Sequence, residues 1–212
     1  MAFEIELKVR LNDLGPVKER LAAIGIFCQS FEKSDTYWIP GGADYQSHKR
    51  LPPPDIRVRR EISVDAEGKT RLSALVTYKT KVINNGIEVN DEREFTVSCA
   101  EIFEDMLERL GLRPHIHKVK QGWAWTIAAE NQEEPSVLAE LSLVKNLGFF
   151  LELEILAADN TARTVGSSQS RLLSLLARLE IDASQIEERP YTELLREIDP
   201  AGTRALQQNI ER

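Results

Sequence analysis

Cysteine is scarce in this 212-residue chain. Cys28 and Cys99 lie far apart and form no C-x-x-C, so neither a zinc site nor a disulfide framework is indicated. Long apolar runs are missing as well, and no stretch approaches the roughly 18 residues that a membrane span needs. The opening "MAFEIELKVR" places acids where a secretory leader carries bases. Basic excess is also lacking. Lys and Arg number 27 against 34 Asp and Glu, giving a formal net charge of −7 and a pI near 5.2. That balance argues against nucleic acid or an anionic membrane as partner. These absences leave a chain expected in the cytoplasm and long enough to bury a real core.

What the chain has in quantity is charge, at 29% of residues, arranged with a period. In "EIELKVR" (Glu4 to Arg10) charged and apolar side chains alternate, the mark of a strand with two different faces. Asn12 to Gly25 offers a cap residue, a proline in the first turn and a glycine stop, which predicts a helix. Strands are predicted at Ser34–Ile39, Asp55–Glu61, Leu72–Lys81 and Asp91–Ser98, with "AEGK" and "NNG" as turns. The Gly/Pro-rich stretch from Pro40 to Pro54 reads as a long loop. Ala100 to Gly111 predicts a second amphipathic helix. An E-x-E strand followed by a helix ending in Ile-Gly or Leu-Gly thus occurs twice, suggesting a two-fold internal repeat. Three further strands ("HIHKVKQGWAWTIA", "VLAELSLVKN", "GFFLELEILA") and helices near Gln169–Leu179 and Tyr191–Ile198 complete the reading. It is a single α+β domain over residues 1–199, with a tail at residues 200–212 expected to be disordered.

The charged alternation recurs on most strands. Glu4, Glu6 and Lys8 share a parity, as do Glu92 and Glu94, Glu152 and Glu154, Arg57 and Arg59, Lys118 and Lys120, and Lys79 and Lys81. One such strand alone is an ordinary strand with a wet face. Collectively the pairs are segregated by sign, E-x-E on three strands and R-x-R or K-x-K on others. Closing the sheet gives an antiparallel β-barrel with this face inside and the apolar face outside, under the helices. Burial costs on the order of several kcal/mol per ion unless the charges are paired or neutralised. A polyanion held by the bases, with Mg2+ or Mn2+ joining it to the acids, would meet that requirement. Arginine pairs add forked donors suited to phosphate oxygens. The charged face is therefore expected to line a site for a metal-bound polyphosphate.

At this point the residues resemble a known family. "EIELK" resembles the E-x-E-x-K signature of the CYTH superfamily, the triphosphate tunnel metalloenzymes, which include class IV adenylyl cyclases, thiamine triphosphatases and inorganic tripolyphosphatases. The likeness continues in order through "DTYW", "IRVRR", "TYK", "EREF", "KVK", "LGFFLELE" and "YTELL". It implies a closed antiparallel barrel of about eight strands enclosing a triphosphate tunnel. It also implies a metal set of Glu4, Glu6, Glu152 and Glu154, and triphosphate ligands Lys8, Arg57, Arg59, Lys79, Lys118 and Lys120. Glu94, with Glu92, would help position a second metal or the nucleophile. Two departures stand out. Lys118-Val119-Lys120 replaces the K-x-R that members often carry, losing a fork. Ser142 stands where an aspartate is usual, and Glu140, two residues earlier on the same face, is the acid that could stand in.

The resemblance implies one of two reactions. A cyclase directs the ribose 3′-hydroxyl of ATP at the α-phosphorus and releases pyrophosphate. A hydrolase directs water at the terminal phosphorus of tripolyphosphate or an organic triphosphate such as thiamine triphosphate. "RPYTELL" resembles the tail of the cyclase-like branch, which leads here, with hydrolysis beside it and a polyphosphate-binding module without turnover as a third reading. Other residues have plainer readings. His115 and His117 lie on the opposite parity to the lysines and are expected outside the tunnel or at the strand's entrance. Trp38, Trp123 and Trp125 are expected in packing, and the loop after Pro40 is read as a surface insertion before a lid. Such barrels can pair through their outer surface, which allows a homodimer that no residue here argues for.

Overall fold

The structure is a computed structural model. It describes residues 3–41, 56–84, 87–129, 131 and 134–198, with no side chains for 79–84 and 87–92. The described residues form strands β1 (Phe3–Leu11), β2 (Ile26–Pro40), β3 (Ile56–Asp65), β4 (Thr70–Asn84), β5 (Ile87–Thr96), β6 (Leu112–Ile127), β7 (Val137–Val144) and β8 (Gly148–Ala157). Helices α1 (Gly15–Ile24), α2 (Ala100–Arg109), α3 (Ala162–Arg178) and α4 (Tyr191–Ile198) accompany them, with a short 3-10 turn at Ala183–Gln185. The long loop after Gly41 and the tail from residue 199 lie outside the described residues.

All eight strands pair antiparallel, in the order β1-β5-β4-β3-β2-β6-β7-β8. β1 also lies against β8 along its whole length, from Phe3↔Ala157 to Leu11↔Phe149. Its pairing with β5 is shorter, from Phe3↔Asp91 to Leu7↔Ile87. A closed antiparallel barrel of about eight strands was expected. β1 pairs with both β5 and β8, and the eight strands form a strongly curled sheet whose β1–β5 seam is short, because β5 starts at Ile87 and runs past the beginning of β1. The internal repeat is visible in the topology. Exchanging β1–β4 with β5–β8 maps the pairing order onto itself, with β1 taking the place of β5 and β2 that of β6.

The apolar parity of the strands faces outward onto helices, as the alternation predicts. Ile5, Leu7 and Val9 of β1 join Leu141, Leu151, Leu153 and Ile155 beneath Leu21 of α1 and Leu172 and Leu176 of α3. Trp125 belongs to this cluster, and half-buried Trp123 packs beside it with the Lys18 ammonium over its ring. A second cluster seats α2, through Ala100 and Leu107, on Trp38, Val58 and Val76. The three tryptophans are therefore packing residues.

Helix α4 departs from the expectation that all helices pack outside. Tyr191 and Leu194 sit with Val144, Leu147 and Phe150. Phe150 shares the parity of Glu152 and Glu154, so α4 caps one end of the concave face. Element bounds also moved. β2 begins at Ile26 because it has partners on both sides, β3 and β6, over nearly all its length. α3 begins at Ala162, where the Thr161 hydroxyl accepts from Thr164 N at 3.3 Å. No helix among the described residues is long and apolar enough to cross a membrane.

Candidate active site

Register decides which side chains share the concave face. Glu6 is directly opposite Glu154, and Lys8 is opposite Glu152. Glu152 faces Glu140 on β7, which faces Ala124 on β6, while Lys118 and Lys120 of β6 face Asp35 and Lys33 of β2. Asp35 and Tyr37 in turn face Arg59 and Arg57 on β3, and Arg57 faces Thr77 on β4, which faces Glu94 on β5. The E-x-E, R-x-R and K-x-K pairs thus come from separate parts of the chain to one surface.

Two buried ion clusters organise that surface. In the first, the Asp35 carboxylate is fully buried and accepts from Arg59 Nε at 2.7 Å and Nη2 at 3.0 Å. Lys118 Nζ lies 3.0 Å from Asp35 Oδ2, the oxygen that also accepts from Arg59 Nη2. Burial alone would raise the Asp35 pKa, but Arg59 and Lys118 outweigh it and hold the acid well below its ordinary range. In the second, Glu140 pairs with Lys33 through one oxygen and with Lys120 Nζ, at 2.7 Å, through the other. Lys120 also donates to Glu152. Burial opposes ionisation of Glu152, yet Lys120 holds its pKa down at about 2. Lys33 is pushed down by burial, and Glu140 resists that shift.

Arg57 forms a third, looser group. Its Nη2 donates to Thr77 Oγ1 at 2.8 Å, and Thr77 donates on to Glu94 at 3.2 Å. Arg57 Nη2 is itself 3.7 Å from that carboxylate. Lys8 turns toward α4: its Nζ donates to the Arg189 carbonyl at 2.6 Å and stands 4.7 Å from the centre of the Tyr191 ring. Lys118 Nζ is 4.8 Å from the same ring, so the phenol lies beneath two ammonium groups. Burial, then the charges of Glu152, Glu6 and Glu140, push the Tyr191 phenol well above its ordinary value.

The structure therefore gathers the expected bases Lys8, Arg57, Arg59, Lys118 and Lys120 and the acids Glu4, Glu6, Glu94, Glu140, Glu152 and Glu154 on one face. Lys79 and Glu92 are placed opposite each other on β4 and β5, but their side chains lie outside the described residues. Ser142 is on the same face, fully buried opposite Phe150, and its hydroxyl finds no hydrogen-bond partner among the described residues. His115 and His117 sit elsewhere. A bulge opposite Tyr37 and Trp38 makes His115 an extra residue, buried and facing Arg113 and Arg196, while His117 is exposed on the outer face.

Sequence reasoning missed Lys33, Asp35, Thr77 and Tyr191 as members of this surface. Lys33, Asp35 and Tyr37 do alternate, but Lys33 and Asp35 carry opposite signs on one parity, unlike the E-x-E, R-x-R and K-x-K pairs of the other strands. Thr77 carries no charge, and Tyr191 belongs to a helix that a strand argument does not reach.

The donor chemistry suits a hard divalent ion at the β1–β8 edge. Glu4, Glu6 and Glu154 offer oxygen only, and like charges directly opposite each other, as Glu6 and Glu154 are, cost free energy that a cation offsets. Among the described residues no three His, Cys, Asp or Glu side chains already converge as a metal group.

No family model and no curated protein matches this sequence. The fold, however, recurs among solved structures. The PH1819 protein from Pyrococcus horikoshii superposes with a TM-score of 0.70 at 23% identity, covering 92% of this chain and 98% of that one. A candidate adenylate cyclase from Vibrio parahaemolyticus gives 0.67 at 16% identity, over 91% and 97%. HpAC1 from Hippeastrum, a candidate adenylyl cyclase with a dominant triphosphatase activity, gives 0.55 at 12%, over 85% and 89%. The likeness at these identities is one of fold, and it agrees with the resemblance to the CYTH superfamily carried by the motifs.

Proposed function

We propose that this protein is a divalent-metal-dependent enzyme whose curled sheet closes as a tunnel around a triphosphate, acting as a class IV adenylyl cyclase-like enzyme on ATP. One observation carries the reading. Lys8, Arg57, Arg59, Lys118 and Lys120 come from three strands, β1, β3 and β6, to one concave face that they share with the carboxylates of β1 and β8. The forked Arg57 and Arg59 and the lysine point charges would bind and align the phosphate oxygens. Lys79 joins them by register. Held this way, the chain of phosphates has its negative charge offset as a bond to phosphorus breaks. Glu94, fixed by Thr77, is the carboxylate suited to orient the attacking hydroxyl, with Glu92 two residues away on the same parity. Mg2+ or Mn2+ held at Glu4, Glu6 and Glu154, with Glu152 alongside, would neutralise phosphate charge.

In the cyclase reaction the 3′ oxygen bonds to the α-phosphorus, its proton leaves, and the α–β bridging oxygen departs with pyrophosphate. Hydrolysis to orthophosphate is the second reading. It is supported by the cap that α4 places over one end of the face, beside Lys8 and Lys118, where a terminal phosphate would lie shielded. HpAC1, which shares the fold, has that activity.

The test is product analysis. ATP, thiamine triphosphate and tripolyphosphate are incubated separately with the protein and Mg2+ or Mn2+, and products are identified by phosphorus NMR. Cyclic AMP with pyrophosphate is the expected result, and orthophosphate alone establishes the hydrolase. Tight triphosphate binding with no product from any substrate would make the protein a binding module and overturn the enzymatic reading.

A further inference from the structure

Tyr191 reaches the charged face from a helix, not from a strand. Its ring meets Phe150 edge-on, with centroids 5.0 Å apart, and its hydroxyl is buried with no hydrogen-bond partner among the described residues. What the ring faces is charge. Lys8 Nζ stands over it at 4.7 Å from the centre and Lys118 Nζ at 4.8 Å. The two lysines are nearly out of water, at 5% and 4% exposure, so their mutual repulsion is weakly screened. Each has a polar anchor as well, the Arg189 carbonyl for Lys8 and Asp35 for Lys118. Asp35 is shared with Arg59, which leaves that group a surplus positive charge.

The kind of partner matters. A carboxylate set between two ammonium groups would cancel their charge and compete with a phosphate for them. An aromatic face attracts both through its quadrupole and cancels neither. We propose that Tyr191 is a positioning residue: its ring, rather than its hydroxyl, holds the Lys8 and Lys118 ammonium groups together where a bound triphosphate would meet them. This role for the ring rests on the triphosphate reading above and needs no metal.

The experiment reverses the charge distribution of the ring while keeping its shape. Tripolyphosphate is titrated by calorimetry, without divalent metal, into wild type, Tyr191→Phe and Tyr191→pentafluorophenylalanine, with circular dichroism confirming the fold of each. Tyr191→Phe should bind within about twofold of wild type, and the fluorinated ring, whose face is positive, about tenfold more weakly. In a Lys8→Met background the gap between the two rings should shrink to about threefold. Equal affinities for the two rings with Lys8 in place would overturn the proposal. So would a loss of about tenfold in Tyr191→Phe, which would give the contact to the hydroxyl. Should the fluorinated chain not fold, Tyr191→Leu replaces it, with Leu194→Ala as a control that loosens α4 but keeps the ring. A loss confined to Tyr191→Leu supports the ring, and equal losses in both overturn it, because docking of the helix would then be all that matters. Wild type that binds no tripolyphosphate would sink the triphosphate reading and this role with it, whereas binding indifferent to the ring sinks only the role of Tyr191.

Discussion

The two buried ion clusters on the concave face solve the same problem differently. Around Asp35, one acid serves two bases, Arg59 and Lys118, and the group keeps a surplus positive charge. Around Glu140, two acids and two bases cancel. The surplus positive charge of the first cluster is what the proposed function would use to hold an anion. The second is self-sufficient and holds strands β2, β6, β7 and β8 to one another. Position on the sheet is therefore not enough to assign a charged residue to ligand binding; the local balance of charge has to be counted.

Breaking the clusters separates these roles. The largest effect is expected for Asp35→Ala, which leaves Arg59 and Lys118 buried without their shared acid; it should cost about 3–5 kcal/mol of stability by urea denaturation. Acid comes next. The folded-state pKa of Glu152, about 2, lies below the ordinary 4.5, so its contribution is complete above pH 4.5 and lost as pH falls toward 2. Stability should fall by up to about 3 kcal/mol across that window, and Glu152→Gln should flatten the fall. Glu140→Gln should cost less, about 2 kcal/mol, because Lys120 keeps Glu152 and Lys33, already pushed down by burial, can shed its proton. Arg59→Lys should be mildest in stability, at about 1 kcal/mol. It should nonetheless weaken tripolyphosphate binding, measured by calorimetry, about tenfold through loss of the fork.

Much of this was legible in the chain. Period-two alternation places Glu4, Glu6, Arg57, Arg59, Glu94, Lys118, Glu152 and Glu154 on one face, and the structure agrees because β1, β3, β6 and β8 bury residues of their other parity in the outer clusters, while Glu94 on the more exposed β5 joins the face through Thr77. The repeat of strand and helix likewise reappears as the symmetry of the strand order. Legibility fails where register across strands, rather than pattern within one, decides the outcome. Nothing in "EKSD" says that Lys33 will meet Glu140, 107 residues on. The bulge at His115 and the inward docking of α4 are tertiary events, set by β2 pairing and by the apolar end that Phe150 and Val144 leave open.

The contact between Lys8 and the Arg189 carbonyl joins residues 181 apart. A chain made from its N-terminus holds Lys8 in its first strand while almost every later element is still to come. β1 must wait for β5, from Ile87, to satisfy one edge and for β8, near residue 150, to satisfy the other. Lys8 Nζ meets the Arg189 carbonyl only once the segment leading into α4 is made. Long sequence separations of this kind slow folding, since loop closure precedes the contacts that reward it. The concave face is thus assembled last, and a chain released short of α4 would carry its charged strands without the cap that orders Lys8.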